Sequence, residues 1–212
     1  MARPTAATAG SSPTPSVRER IIEGAADLFR ENGYDVSMEA IAQAAGVSKQ
    51  SLYNHFGSKE ELFKSIISLR SEALRAPLLE TGGDRDPRAV LLDFARQYHA
   101  LALSARGAGF MRTIVSASQR FPEIGADFFE VGPRRTLELL TDWVRRQEQA
   151  GRLSTPNAAL AAEHFLSLLF GYTQLKGMLG LEAQLAAVNA EERAAFCVDL
   201  FMRAFGGPVN RL

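Results

Sequence analysis

The chain has 212 residues, of which 46% are apolar and 23% charged, and its 24 basic side chains are matched by 24 acidic ones. Those values suit a folded protein of one medium domain, or of a small domain fused to a larger one. The zero formal charge excludes any argument from bulk charge, so a nucleic-acid surface has to be a local patch. A single cysteine, Cys197, excludes an internal disulfide framework and fits a reducing cytoplasm.

Residues 1–16 are rich in Ala, Pro, Ser and Thr. They lack the apolar core of a signal peptide and read as a disordered tail on a cytoplasmic protein. Helical periodicity begins with Val17, Ile21, Ala25, Leu28 and Phe29, and Asn32-Gly33 supplies the helix end. Ser37 then caps a short helix with Met38, Ile41, Ala42 and Ala45 inward. Gly46-Val47 makes a turn. Ser48 caps the next helix, whose Leu52 and Phe56 lie one turn apart. Ser58 and Glu61 have capping-box spacing. The fourth helix that follows turns Leu62, Phe63, Ile66 and Ile67 inward and runs to about Leu74.

Pro77 and residues 81–86 mark a linker. Further helices are expected at 87–104, 108–120, 122–131, 133–150, 156–180 and 189–205. Pro87, Pro122, Pro133 and Pro156 stand at their starts. Asn189 with Glu192 offers another capping box. No alternating strand pattern occurs, so the fold class is all-α. The most apolar stretch, 165–172, is too short to span a bilayer, and no membrane contact is expected.

Residues 37–56 carry the chemistry. Ala42 and Ala45 are small enough for two short helices to cross closely, Gly46 turns the chain, and Val47 and Leu52 fill the angle. The second helix is thereby held out as a rod that can enter a DNA major groove. Its residues not committed to packing are Lys49, Gln50, Ser51, Tyr53, Asn54 and His55. All can donate hydrogen bonds and none is acidic. Gln pairs with adenine and Lys with guanine, and each good contact discriminates by roughly 1–3 kcal/mol. Tyr53 is better placed for a phosphate. Ser37 and Lys59 sit at helix starts, where backbone N–H groups favour phosphate, and Ser48 joins them as the reader's cap. For His55, as for Lys59 taken alone, ordinary exposure is the plainer reading.

The register Ile41-Ala-x-x-Ala-Gly-Val-Ser48, Leu52-Tyr-x-x-Phe56 and Lys59-x-x-Leu62, preceded by Gly33-Tyr34, resembles the TetR family of bacterial repressors over about residues 17–66. Gln50 departs from the Gly that many members carry, which alters base preference or groove approach and not the fold. Arg120-Phe-Pro-Glu-Ile124 with Phe128-Phe-Glu-Val-Gly-Pro133 is similar to the AefR-like subgroup. The resemblance implies a homodimer with three parts. These are a helix-turn-helix three-helix domain (17–62), a connecting helix and linker (63–86), and a larger helical domain for ligand binding and dimerisation (87–207). It implies a repressor of palindromic double-stranded DNA, released by a small hydrophobic or amphipathic effector.

The implied pocket draws on an aromatic second domain. Its candidate walls are Phe94, Tyr98, Phe110, Met111, Ile114, Trp143, Tyr172, Leu175 and Met178. The last two long helices carry more apolar surface than packing on one domain requires. Phe165, Leu168, Leu169, Phe196, Leu200 and Phe201 are therefore the candidate dimer interface, a four-helix contact of more than roughly 2,000 Å². An effector would act by favouring one spacing of the two readers, through a tilt of the fourth helix.

His99 and His164 lie far apart, with no carboxylate or thiolate at ligand spacing, so no metal is expected. Cys197 reads as a buried apolar residue. No triad order, phosphate loop or dinucleotide fingerprint occurs, so neither an enzyme nor a cofactor is expected. Two other readings stay open. One is a ligand- or partner-binding module that keeps the helix-turn-helix only as scaffold. The other is an enzyme built on the aromatic pocket, which nothing in the sequence motivates.

Overall fold

The structure, a computed structural model, describes residues 16–80 and 85–207. The expected tail before Ser16 and positions 81–84 of the expected linker lie outside the described residues. Among the described residues the chain is helical, without a named strand. The helices are α1 (Val17–Asn32), α2 (Met38–Ala44), α3 (Lys49–Phe56), α4 (Lys59–Leu79), α5 (Pro87–Ala102), α6 (Ala105–Arg120), α7 (Pro122–Phe129), α8 (Arg135–Gln149), α9 (Ala158–Met178), α10 (Glu182–Ala186) and α11 (Ala190–Phe205).

Most starts are set by side-chain caps. The Ser16 hydroxyl accepts from the Glu19 N–H at 3.2 Å, and the Glu19 carboxylate accepts from the Ser16 N–H at 2.7 Å. Ser16, assigned to the tail by composition, is therefore the cap of α1. Ser37, Ser48, Ser58, Asp86, Ser104, Asn157 and Asn189 cap their helices in the same sense. Ser104 moves the start of α6 three residues ahead of the expected 108.

Three prolines do not act as the sequence suggests: Pro156 stands before the Asn157 cap and so outside α9, and Pro77 and Pro133 depart further. Pro77 lies inside α4, which ends at Leu79. The carbonyl that Pro77 cannot serve, that of Ala73, belongs to an exposed residue, so solvent can serve it. Pro133 does not open a helix. It sits within a π-helical turn, Glu130–Arg134, that carries α7 directly into α8. Buried Arg75 of α4 donates to the Val131 carbonyl in that turn at 3.1 Å.

Two apolar cores share α4. The first joins Ile21, Ala25 and Phe29 of α1, Ile41 of α2, Leu52 and Phe56 of α3, and Leu62, Phe63 and Ile66 of α4. Phe110 and Ile114 of α6 and Ile124 of α7 pack into the same core. The second joins Leu74 and Leu78 of α4 with Leu91, Phe94, Trp143, Phe165, Leu169, Val198 and Phe201. Burying each of the larger aliphatic and phenylalanine side chains among these contributes about 1.5–3 kcal/mol. The changeover along α4 falls at Arg70 and Ser71.

The long helix α9 breaks at Gly171, whose φ of 47° and ψ of −159° are not helical. That left-handed φ favours glycine, and a side chain there would collide with the Arg193 guanidinium. Arg193 donates to the Leu168 carbonyl at 3.2 Å, satisfying an acceptor just before the break. The break advances the inward face by about one residue. Before it, Ala161, Ala162, Phe165 and Leu169 face inward; after it, Thr173, Gln174 and Gly177 do.

Candidate nucleic-acid interface and effector cavity

The turn between α2 and α3 is closed by the Val47 N–H, which donates to the Ala42 carbonyl at 3.0 Å. Gly46 makes the turn at a φ of 65°, where only glycine is unstrained. Leu52 and Phe56 seat α3 on the first core, at 0% and 6% exposure. At about 100° per residue, Gln50 and Asn54 then lie on the opposite side of the helix. Both are exposed, and the Gln50 amide donates to the Asn54 side-chain oxygen at 2.9 Å. Tyr53 flanks them on one side and half-buried Ser51 on the other, while exposed His55 stands nearer the seam with Phe56.

The remaining candidate DNA-contacting residues have partners the sequence did not show. Lys49 pairs with Glu39 of α2, and its ammonium lies 5.9 Å from the Tyr53 ring centroid. The Glu39 carboxylate holds the Lys49 pKa up, and the Lys49 hydrogen bond holds the Glu39 pKa down. An acid-free reader helix thus has an acid beside it, contributed by the first turn of α2. The Ser37 and Ser48 oxygens accept from the N–H groups of Ala40 and Ser51 at 3.2 and 3.0 Å. Lys59 braces the loop before α2. Its ammonium donates to the Tyr34 and Val36 carbonyls at 3.0 and 3.4 Å and lies 4.5 Å from the Tyr34 ring centroid. Two of its three donors are spent there, so Lys59 is only partly available to a phosphate.

A cavity of about 130 Å³ lies where the two cores meet. Its walls are Ile67, Arg70, Ser71 and Leu74 of α4, Tyr98, Leu101 and Ala102 of α5, and Gly107, Phe110 and Met111 of α6. Phe128, Gly132, Pro133, Thr136, Leu166 and Phe170 complete them. Of the walls expected from the sequence, Tyr98, Phe110 and Met111 line this cavity. Phe94 and Trp143 are buried in the second core and Ile114 in the first. Tyr172, Leu175 and Met178 are exposed by 81%, 47% and 40%, and for Tyr172 it is the break at Gly171 that turns the side chain outward.

The expected dimer residues divide in the same way. Phe165, Leu169 and Phe201 are buried in the protomer's own core, and Leu168 is half-buried. Phe196 and Leu200 are exposed by 68% and 42%. With Leu160 and Tyr172 they leave an exposed apolar face on α9 and α11. Both helices carry apolar residues toward the core and away from it, so periodicity alone does not sort them.

His99 is buried, with its Nδ1 3.2 Å from the Ala190 carbonyl, and burial lowers its pKa. His164 is exposed. Cys197 is buried, and burial raises its pKa. Among the described residues no group of three or more His, Cys, Asp or Glu side chains could hold a metal ion, and no helix is long and apolar enough to cross a membrane.

Residues 89–207 match the C-terminal domain of AefR-like transcriptional repressors, and residues 21–66 match the bacterial regulatory proteins of the TetR family. The chain belongs to the TetR family. It is a helix-turn-helix, DNA-binding transcription regulator of that family. The TetR-family likeness extends through both cores. The HTH-type transcriptional regulator UidR of Escherichia coli K12 is 45% identical over 160 residues, 73% of this chain and 78% of UidR. A TetR-family regulator from Mesorhizobium loti matches with a TM-score of 0.73 at 26% identity, over 90% of this chain and 96% of that one. The flavonoid-responsive regulator FrrA matches at 34% identity and a TM-score of 0.65, over 90% of this chain and 97% of FrrA.

Proposed function

We propose that this TetR-family chain is a homodimeric repressor that binds a palindromic operator and leaves it when a hydrophobic or amphipathic effector enters the cavity between its two cores. The observation that carries this reading is α3, seated by Leu52 and Phe56 and exposed on its far side by Gln50 and Asn54. Those two amides suit adenine edges. Lys49, Ser51 and Tyr53, with the cap residues Ser37 and Ser48, serve flanking phosphates. Lys59 supports the site by holding the loop before α2.

The exposed face of Leu160, Tyr172, Phe196 and Leu200 is read as the seat of the second copy. The pairing has to hold two readers about 34–36 Å apart to reach successive major grooves. The cavity, at about 130 Å³, is smaller than the roughly 300–1,000 Å³ of sites for drug-sized ligands. A larger effector therefore has to displace a wall. Four of the wall residues are on α4, whose first turn packs beside the reader, so displacement is transmitted along one helix. FrrA is a flavonoid-responsive regulator, and that likeness supports an aromatic effector here.

The test is a gel shift on the DNA upstream of the chain's own gene, followed by selection of bound DNA from a random pool. A palindromic motif bound by a dimer is expected. Binding without sequence preference would reject the repressor reading.

A further inference from the structure

Most of the cavity wall is apolar. Arg70 and Ser71 of α4 and Tyr98 of α5 are exceptions whose polar groups have no hydrogen-bond partner among the described residues, whereas the Thr136 hydroxyl donates to the Gly132 carbonyl at 2.9 Å. Arg70 is half-buried, and its guanidinium lies 4.9 Å from the centroid of the Phe110 ring, itself part of the wall. Glu23 and Asp27 of α1 act on Arg70 through space, but both are bonded to Arg106, at 3.2 and 2.6 Å. The charges of Arg106 and Arg30 oppose their effect. Nearby Arg75 differs, since it spends its guanidinium on a backbone carbonyl.

A guanidinium withdrawn from water without an anionic partner is destabilising, and an anion that meets it recovers part of that loss. Arginine offers a carboxylate two parallel N–H donors in one plane, and a ring packed against the guanidinium restricts its movement. Volume limits what accompanies the anion. An apolar cavity of about 150 Å³ takes one benzene, and this one is about 130 Å³. The Tyr98 hydroxyl is a second donor on the same wall, and burial raises its pKa, so it stays protonated.

We propose that the effector is a one-ring aromatic carboxylate, its ring in the cavity and its carboxylate paired with Arg70. The inference rests on the reading of the cavity as the effector site. Arg70 stands where α4 passes from one core to the other, so an anion bound to it acts directly on the helix that leads to the reader.

Benzoate and phenylacetate are titrated into the full chain by calorimetry, beside the neutral benzyl alcohol. The wild-type chain is expected to bind at least one acid ten times more tightly than the alcohol. Arg70→Met keeps an unbranched apolar stem on the wall and removes the charge. It is expected to abolish that preference while leaving alcohol binding in place. If the alcohol binds the wild type as well as the acids do, the charge inference fails and the cavity reading survives. If neither acid nor alcohol binds, the cavity reading fails and the inference falls with it. Acid binding that survives unchanged in Arg70→Met overturns the assignment of Arg70. The comparison within the wild-type chain needs no variant and holds even if Arg70→Met folds poorly.

Discussion

Phe63→Leu tests the coupling between the two halves of the molecule. Phe63 is fully buried on α4, with its ring centroid 5.3 Å from Phe29, 5.3 Å from Tyr34 and 5.4 Å from Phe110. Two of those rings belong to the reader half and the third to α6. Leucine retains most of the apolar burial, so the loss is chiefly that of three ring pairs at about 0.5–1.5 kcal/mol each, or about 1.5–4.5 kcal/mol together. Against a typical total of about 5–15 kcal/mol, that is a large share. Urea unfolding followed by far-ultraviolet circular dichroism reports all the helices. The fluorescence of Trp143, the chain's one tryptophan, reports the second core alone. The variant is expected to lose helix before Trp143 fluorescence changes, and to lose operator affinity with it. A stability change within about 0.5 kcal/mol, the range of an ordinary surface substitution, would refute the reasoning.

Four further outcomes are expected. Gln50→Ala should change the selected DNA motif at one position per half-site, by roughly 1–3 kcal/mol of discrimination, and an unchanged motif would remove Gln50 from the reader. Glu39→Gln releases Lys49 from its ion pair. It should tighten binding to every sequence and steepen the salt dependence by about one unit of slope per reader, as measured by titration across ionic strength. Phe196→Glu places a charge on the exposed face of α9 and α11. Analytical ultracentrifugation should then show a monomer, and a dimer of wild-type stability would exclude that face. Burial holds the folded His99 pKa below its unfolded value of about 6.5. As pH falls below about 6.5 the unfolded chain takes this proton first, so stability is constant above that value with respect to His99 and declines beneath it. His99→Asn should flatten that decline in thermal melts between about pH 7 and 5, and an unaltered slope would assign the loss to other groups.

Much of the geometry of the candidate reader was legible locally. Ser37, Ser48 and Ser58 as caps, Gly46 as the turn, and Leu52 with Phe56 as the seam all follow from spacings within a few residues. A helix of known phase with a known buried side has a known exposed side, so Gln50 and Asn54 follow from Leu52 and Phe56. The charges around the reader do not. Glu39 reaches Lys49 from another helix, and Lys59 reaches backbone carbonyls 25 and 23 residues earlier in the chain.

The sequence by itself determined the helical class, the caps, the helix-turn-helix and an abundance of apolar surface toward the C-terminus. Each of these depends on interactions within about one turn of helix or on total composition. Only the tertiary structure decided what that surface does. Periodicity identifies residues that share a face, but α9 and α11 are apolar on two faces, and Gly171 changes the phase of α9 midway. Tyr172 therefore faces outward, while Phe165 and Leu169 belong to the protomer's core. The cavity is a still less local feature, because it exists where two cores built from distant segments meet imperfectly. Arg70 acquires its significance from that meeting and not from its neighbours in sequence.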